Sequence, residues 1–208
     1  MNIESPLPNT EPPHDCALCP RLVETRAACR TEQPEWWNAP VRAFGDPDAW
    51  LAIVGLAPGK QGANRTGIPF NGDTSGDLLW AALATHGFEA QSPKGLMIFN
   101  AVRCLPPGNK PTPEELRTCR PFLRAGFEAM PNLRVVIALG ATAHQSAVKA
   151  NGEKLPKRRF AHGAVHHLLN GRILVDSYHP SRLNQNVGRV TLEMMEEIVG
   201  VAKSSIPL

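Results

Sequence analysis

Four short apolar runs divide the chain, each ending at a cluster of turn-forming residues. They are LAIVGL (51–56), GLMIFNAV (95–102), RVVIALG (134–140) and RILVD (172–176). Runs this short, rich in β-branched residues and bounded by Gly and Pro, read as strands buried on both faces. Between them the spacing changes to a helical period. SGDLLWAALATHG (75–87) carries apolar residues at helical spacing and stops at a glycine. A further helix is predicted from Thr112, a good N-cap, with Pro113 at its first position and Glu115 placed for a capping box. ATAHQSAVKA follows the third run, and VTLEMMEEIVGVAK near the C-terminus is amphipathic. RLVETRAACR, from Arg21, reads as a short helix. HHLL (166–169) and RILVDSY (172–178), joined by Asn170-Gly171, suggest a hairpin with a tight turn.

Strands alternating with helices predict a mostly parallel, four-stranded central sheet with helices on both faces, in one domain covering 1–208. Ligands of such sheets sit beyond the C-terminal strand ends. The segments GLAPG, NAVRC and SYHPS each follow an apolar run and are expected to meet there.

With 208 residues, 42% apolar and 20% charged, the composition is that of an ordinary globular domain. No stretch approaches the length of a membrane span. The Pro-rich start (1–13) lacks a secretory pattern and reads as a flexible leader of a cytoplasmic protein. The net charge of +3 permits a polyanionic partner without demanding one. Nothing in the sequence calls for more than a monomer.

The odd count of five cysteines argues against a disulfide framework. Cys16 and Cys19 form a C-x-x-C, and Cys104 and Cys119 are separated by 14 residues. Four thiolates suit either a tetrahedral zinc or an iron–sulfur cluster, and spacing alone does not choose. Cys29 reads as a buried core thiol. The loop 55–76 is rich in glycine but is not a phosphate-binding loop, since Gly59-Lys60 is followed by Gln61. Within it Phe70 is either a plug onto the core or a platform for a flat ligand. Asp73, just before a predicted helix, has the position of an N-cap. Pro180 fixes a sharp turn that holds His179 at a strand end.

In order, the chain carries C-x-x-C-P-R-L-V, W-x-x-P-V-x-x-F-G-D-P, G-L-A-P-x3-G-A-N-R-T-G-x-P-F-x-G-D-x-S-G, N-A-V-x-C-x-P-P-x-N-K-P-T-x-x-E, R-F-A-H-G and S-Y-H-P-S. This ordered set resembles the uracil-DNA glycosylase superfamily, specifically family 5 (type B). The resemblance spans nearly the whole chain. It implies a three-layer α/β/α domain with a [4Fe–4S] cluster, acting in base excision repair on DNA that contains uracil, and also hypoxanthine and xanthine. Double- and single-stranded DNA are the implied partners, with the protein at the nucleoid.

By the same resemblance Cys16, Cys19, Cys104 and Cys119 are the cluster ligands. Asp73, Asn109 and His179 are implied as catalytic, and Ala57, Phe70 and Asn100 as base-binding. Lys60-Gln61 departs from the family's more usual Ala-His. DNA contacts are expected from Arg65, Ser181 and Arg182, with Leu183 as an apolar wedge. Further candidate bases are Lys60, Lys110, Arg189 and the run 157–159. Two rivals are kept. One is a superfamily member trapped covalently on DNA through a histidine after a KRR run, here His162. The other is a non-catalytic zinc or iron–sulfur nucleic-acid-binding module.

Overall fold

The computed structural model describes residues 6–7, 10–155 and 158–206. Four runs of apolar residues form the parallel centre of a sheet: β2 (Leu51–Gly55), β3 (Leu96–Asn100), β4 (Val135–Leu139) and β6 (Ile173–Ser177). The sheet has six strands rather than the expected four. Two short antiparallel edge strands are added, β1 (Phe44–Gly45) beside β3 and β5 (Val165–His167) beside β6, giving the order β1-β3-β2-β4-β6-β5. The β5–β6 pair is the hairpin predicted at Asn170-Gly171, where Gly171 takes a positive φ of 83°. β1 escaped the sequence reading because two residues are too few to show any alternation.

Side chains alternate strictly across the sheet. Ala52, Val54, Met97, Phe99, Val136, Ala138 and Leu174 face α4 (Pro113–Glu128) and α5 (Ala141–Ala150). Leu51, Ile53, Leu96, Ile98, Val135, Ile137 and Val175 face α3 (Thr74–Ala84) and α7 (Leu192–Ser204). Both faces are fully buried, which is why these strands read as continuous apolar runs. Helix α4 starts at the anticipated capping box: the Glu115 N–H donates to Thr112 Oγ1 at 3.1 Å, and the Thr112 N–H donates to Glu115 Oε2 at 2.7 Å.

Helix α1 (Pro20–Glu32) lies outside these layers and packs Leu22 against Val102 and Cys119, and the loop after β2 holds a single helical turn, α2 (Ala63–Thr66). Part of the stretch read as a flexible leader is packed. Leu7 joins the core beside α4 and α5, and Glu11 Oε1 accepts the Ala43 N–H at 2.9 Å. An apolar residue and a carboxylate with a buried partner outweigh the proline-rich composition here. Among the described residues no helix is long and apolar enough to cross a membrane.

From β2 the chain passes to β3 on one side, and later to β4 on the other. The crevice at the C-terminal ends of these strands is therefore a topological switch point, the usual place for a ligand in an open α/β sheet.

Candidate active site

A cavity of about 490 Å³ opens at that strand edge. The loop after β2 supplies Ala57, Phe70 and Asp73, the end of β3 supplies Asn100, and Asn109 follows from a 3₁₀ turn at Pro107–Asn109. His179, Ser181, Arg182 and Leu183 enter from the loop after β6 and from the short helix α6 (Arg182–Asn186). Nine of the ten residues named above for catalysis, base binding and DNA contact thus share one cavity. Arg65 stands apart: its guanidinium donates to the Gly72 carbonyl at 3.3 Å and clasps the loop that carries Phe70 and Asp73.

The backbone is shaped around these side chains. Gly55, the last residue of β2, lies so close to the Phe70 ring that a Cβ there would sit 2.7 Å from two of its carbons, and 2.6 Å from Asn100 Oδ1. Phe70 itself has φ +52°, a left-handed conformation that costs energy in a bulky residue. It is held by the Trp80 indole N–H, which donates to the Phe70 carbonyl at 3.0 Å. Asn109 also adopts the left-handed region, at φ +56°, which Asn tolerates better than most residues.

Asp73 is the N-cap that its sequence position suggested, and it uses only one carboxylate oxygen for that. Its Oδ1 accepts the Gly76 N–H at 2.9 Å as the N-cap of α3, while its Oδ2 lies over Gly62 and Gly59, where neither glycine has a side chain to obstruct it. The His179 ring is tilted against Phe70 with centroids 6.0 Å apart. Burial pushes the His179 pKa down to about 4, and the nearby Asp73 carboxylate opposes this only in part. The imidazole at this wall is therefore neutral at pH 7.

Two residues fix the His179 loop. Asn184 Nδ2 donates to the His179 carbonyl at 2.8 Å, and Gln185 Nε2 donates to both the Pro180 and Thr74 carbonyls, at 2.7 and 3.1 Å. Gln185 thereby ties the histidine loop to the residue after Asp73. Sequence reasoning missed it, because the link spans 111 positions and no local pattern announces it.

The other candidate bases have varied surroundings. Lys60 pairs with Glu32 at 2.8 Å, and Arg189 lies over the Tyr178 ring at 5.7 Å. Arg158 pairs with Glu153 at 3.1 Å, Arg159 is exposed, and Lys157 lies outside the described residues.

Cys16, Cys19, Cys104 and Cys119 surround a small space capped by Leu22, Val102 and Phe122. Cys29 lies elsewhere, under Lys60 and Glu32. Burial pushes the Cys104 and Cys119 thiols up, to about 12 and about 11, with Cys119 adding to the effect on Cys104. Two cations attend the set. The buried Arg26 has Nη1 3.9 Å from Cys104 Sγ, and the fully buried Arg103, ion-paired with Glu11 at 3.4 Å, donates its backbone N–H to Cys119 Sγ at 3.3 Å. Buried cations call for a nearby anion. A group bound by four thiolates supplies one, so these residues fit such a group.

A family model described as "Uracil DNA glycosylase superfamily" matches residues 42–203. The type-5 uracil-DNA glycosylase of Thermus thermophilus is 42% identical, the alignment covering 90% of this chain and 92% of that protein. Those of Mycobacterium tuberculosis and Pyrobaculum aerophilum are 41% and 38% identical, over 90% and 89% of this chain and 77% and 86% of theirs. In fold the chain is similar to the crystal structure of wild-type Pedobacter heparinus SMUG2, with a TM-score of 0.53 at 15% identity over 76% of each chain. With a switch-point cavity of this make-up and relatives of this closeness, the chain belongs to the uracil-DNA glycosylase superfamily and is a DNA glycosylase akin to its type-5 members.

Proposed function

We propose that this chain hydrolyses the N-glycosidic bond of uracil, and also of hypoxanthine and xanthine, in DNA, leaving an abasic site. The observation that carries this reading is the convergence of Phe70, Asp73, Asn100, Asn109 and His179 on one cavity. At about 490 Å³ it falls within the range that holds drug-sized ligands, so its size admits a purine as well as a pyrimidine.

The base is rotated out of the helix at a cost of a few kcal/mol, least for a mismatched or unpaired base. Phe70 stacks on it, Asn100 hydrogen-bonds its edge, and Ala57 leaves room beside it. As the bond from the anomeric carbon to the base nitrogen breaks, its electron pair stays with the base and the sugar gains oxocarbenium character. A neutral His179 donates a hydrogen bond to the base oxygen on which the charge collects. A preorganised donor of this kind contributes about 3–4 kcal/mol to the transition state. Asp73 Oδ2, the oxygen not engaged in capping, orients a water molecule with Asn109. The water oxygen bonds to the anomeric carbon, and its proton passes to the carboxylate.

Leu183, 72% exposed beside the cavity, fills the gap in the duplex, and Ser181, Arg182 and Arg65 hold the phosphates. Cys16, Cys19, Cys104 and Cys119 would hold a [4Fe–4S] cluster, whose contribution is structural: it fastens α1 to the 104–119 segment. The protein acts as a single-domain monomer at the nucleoid in the cytoplasm, on double- or single-stranded DNA. His162 supports hydrolysis over covalent trapping. Its Nδ1 accepts the Tyr178 N–H at 3.1 Å, and its ring stacks on Tyr178 at 5.0 Å rather than lining the cavity.

The test is base release from duplexes carrying uracil, hypoxanthine, xanthine or thymine opposite each normal base. Release of the three deaminated bases, followed by alkaline cleavage at the abasic site, is expected. Binding without release would overturn the reading.

A further inference from the structure

On the sheet face opposite α3 and α7, away from the cavity, three potential metal ligands converge. Asp176 on β6 is fully buried. His144 Nδ1, from the buried face of α5, lies 2.8 Å from Asp176 Oδ1, and His166 Nε2, from edge strand β5, lies 3.0 Å from Asp176 Oδ2. The three ligand atoms lie within 4.8 Å of one another.

The proton count on His144 is informative. Its Nε2 is 3.2 Å from the Arg158 carbonyl oxygen, which can only accept, so that nitrogen carries a hydrogen. A neutral imidazole has one N–H, which leaves a lone pair on Nδ1 aimed at a carboxylate oxygen, two acceptors face to face. A proton, carried by His144 or by Asp176, or a metal ion must therefore lie between them. Three features favour the metal. A third ligand, His166, points at the same place. The Arg158 carbonyl holds His144 by its far nitrogen, as outer-shell groups do for metal-bound histidines. The adjustment needed is also within the reach of side-chain rotation. Ligand atoms bound at about 2.0–2.1 Å in a tetrahedron stand roughly 3.3 Å apart; the two nitrogens lie 2.8 and 3.0 Å from separate oxygens of Asp176, and the three ligand atoms, one from each residue, already lie within 4.8 Å of one another, so side-chain rotation has to draw them together around the ion.

We propose that His144, His166 and Asp176 bind a divalent transition-metal ion of the zinc type, with water as the fourth ligand. Two imidazoles and one carboxylate are a donor set that suits such an ion. His166, on the edge strand and partly exposed, provides the entry path. The ion would fasten α5 and the hairpin to each other, and His144 holds the Arg158 carbonyl. It would stiffen β6, which ends in the loop bearing His179 three residues beyond Asp176.

The full chain, as purified, is titrated with Zn²⁺ beside His166→Gln. That variant keeps every cysteine, so zinc taken up by thiols cancels in the comparison. Wild type is expected to bind one more equivalent than His166→Gln, or to bind it at least tenfold more tightly, and to melt at a higher temperature with zinc only when His166 is present. Equal uptake with equal affinity in the two proteins would overturn the proposal. Should His166→Gln not fold, nitrogen-15 NMR of wild type decides. Saturating zinc is expected to remove the His144 Nδ1 proton, and its persistence would show a buried imidazolium–carboxylate pair instead of a metal site.

Discussion

The Gly76 N–H donates to Oδ1 of Asp73 at 2.9 Å, which leaves the second carboxylate oxygen for the water-positioning task proposed above. The first oxygen starts helix α3, and the second faces the cavity over Gly62. The two tasks separate on substitution. Asn caps a helix as well as Asp does, whereas Ala does not, at a cost of about 1 kcal/mol. Asp73→Asn is therefore expected to melt near the wild-type temperature but to release base at least about 100-fold more slowly in single-turnover assays. Asp73→Ala should show the same kinetic defect and lose about 1 kcal/mol in denaturant titration. A wild-type rate in Asp73→Asn would remove the carboxylate from the chemistry.

The depressed pKa of His179 makes two pH predictions. With a value of about 4, the imidazole is neutral across the physiological range. The hydrogen bond it offers to the leaving base should then not titrate between about pH 5.5 and 8, unlike that of an ordinary histidine near 6.5. The stability effect has a definite sign. Between about pH 6.5 and 4 the unfolded chain binds the proton and the folded chain does not, so the contribution is complete above pH 6.5 and is lost as the pH falls toward 4. Allowing for the ring's partial contact with the cavity, the loss is about 2–3 kcal/mol. Denaturant titrations at neutral and mildly acidic pH should show a smaller acid-induced loss in His179→Gln than in wild type. An equal loss in both would show that His179 titrates normally.

How much of this was legible in the sequence depends on how local each feature is. The four central strands announce themselves because both their faces are buried, and the Thr112–Glu115 capping box is written within four residues. Edge strand β1 is only two residues long, and Leu7 reads as part of a polar, proline-rich start until its packing against the core is seen. Asp73 was ambiguous for a physical reason: a cap and a water-positioning carboxylate ask for the same residue at the same place. The ordered motifs suggested which side chains belong together. They could not reveal Gln185 reaching Thr74, or His144 meeting Asp176, because such contacts depend on how distant segments are folded together.

Gly55 is expected to be intolerant of even a methyl group. A Cβ there would press on both the Phe70 ring and the Asn100 amide, at 2.7 and 2.6 Å. Overpacking of this kind costs about 1–3 kcal/mol if the neighbours cannot move. Both of these side chains border the cavity, so they have somewhere to go. Gly55→Ala should therefore fold but bind base poorly, raising KM for uracil-containing DNA while affinity for undamaged DNA, set by phosphate contacts, stays unchanged. Wild-type KM in this variant would show that neither side chain contacts the base.

The four converging thiols predict a sharp division among the five cysteines. Cys104→Ser or Cys119→Ser should lose bound iron and the associated visible absorbance, and should unfold more readily, because metal binding and folding are coupled in such sites. Cys29→Ser should retain iron, since Cys29 lies under Lys60 and Glu32 rather than with the other four. Iron content measured per chain gives the answer directly. Equal iron in all three variants would exclude this ligand set.

Leu183 bears on base extrusion. A leucine 72% exposed to water on a short helix beside the cavity has little reason to be apolar for the free protein's sake. If it enters the stack to replace the departed base, its benefit scales with the cost of opening the pair. Truncation to Ala should then slow release of uracil paired with adenine by about tenfold, slow release from a guanine mismatch less, and leave single-stranded substrate nearly unaffected, since unstacking costs least there. Single-turnover rates on the three substrates make the comparison internal, so a general folding defect, which would lower all three alike, is distinguished from loss of the wedge. An equal slowing on every substrate would assign Leu183 to the structure of α6 rather than to the extrusion step.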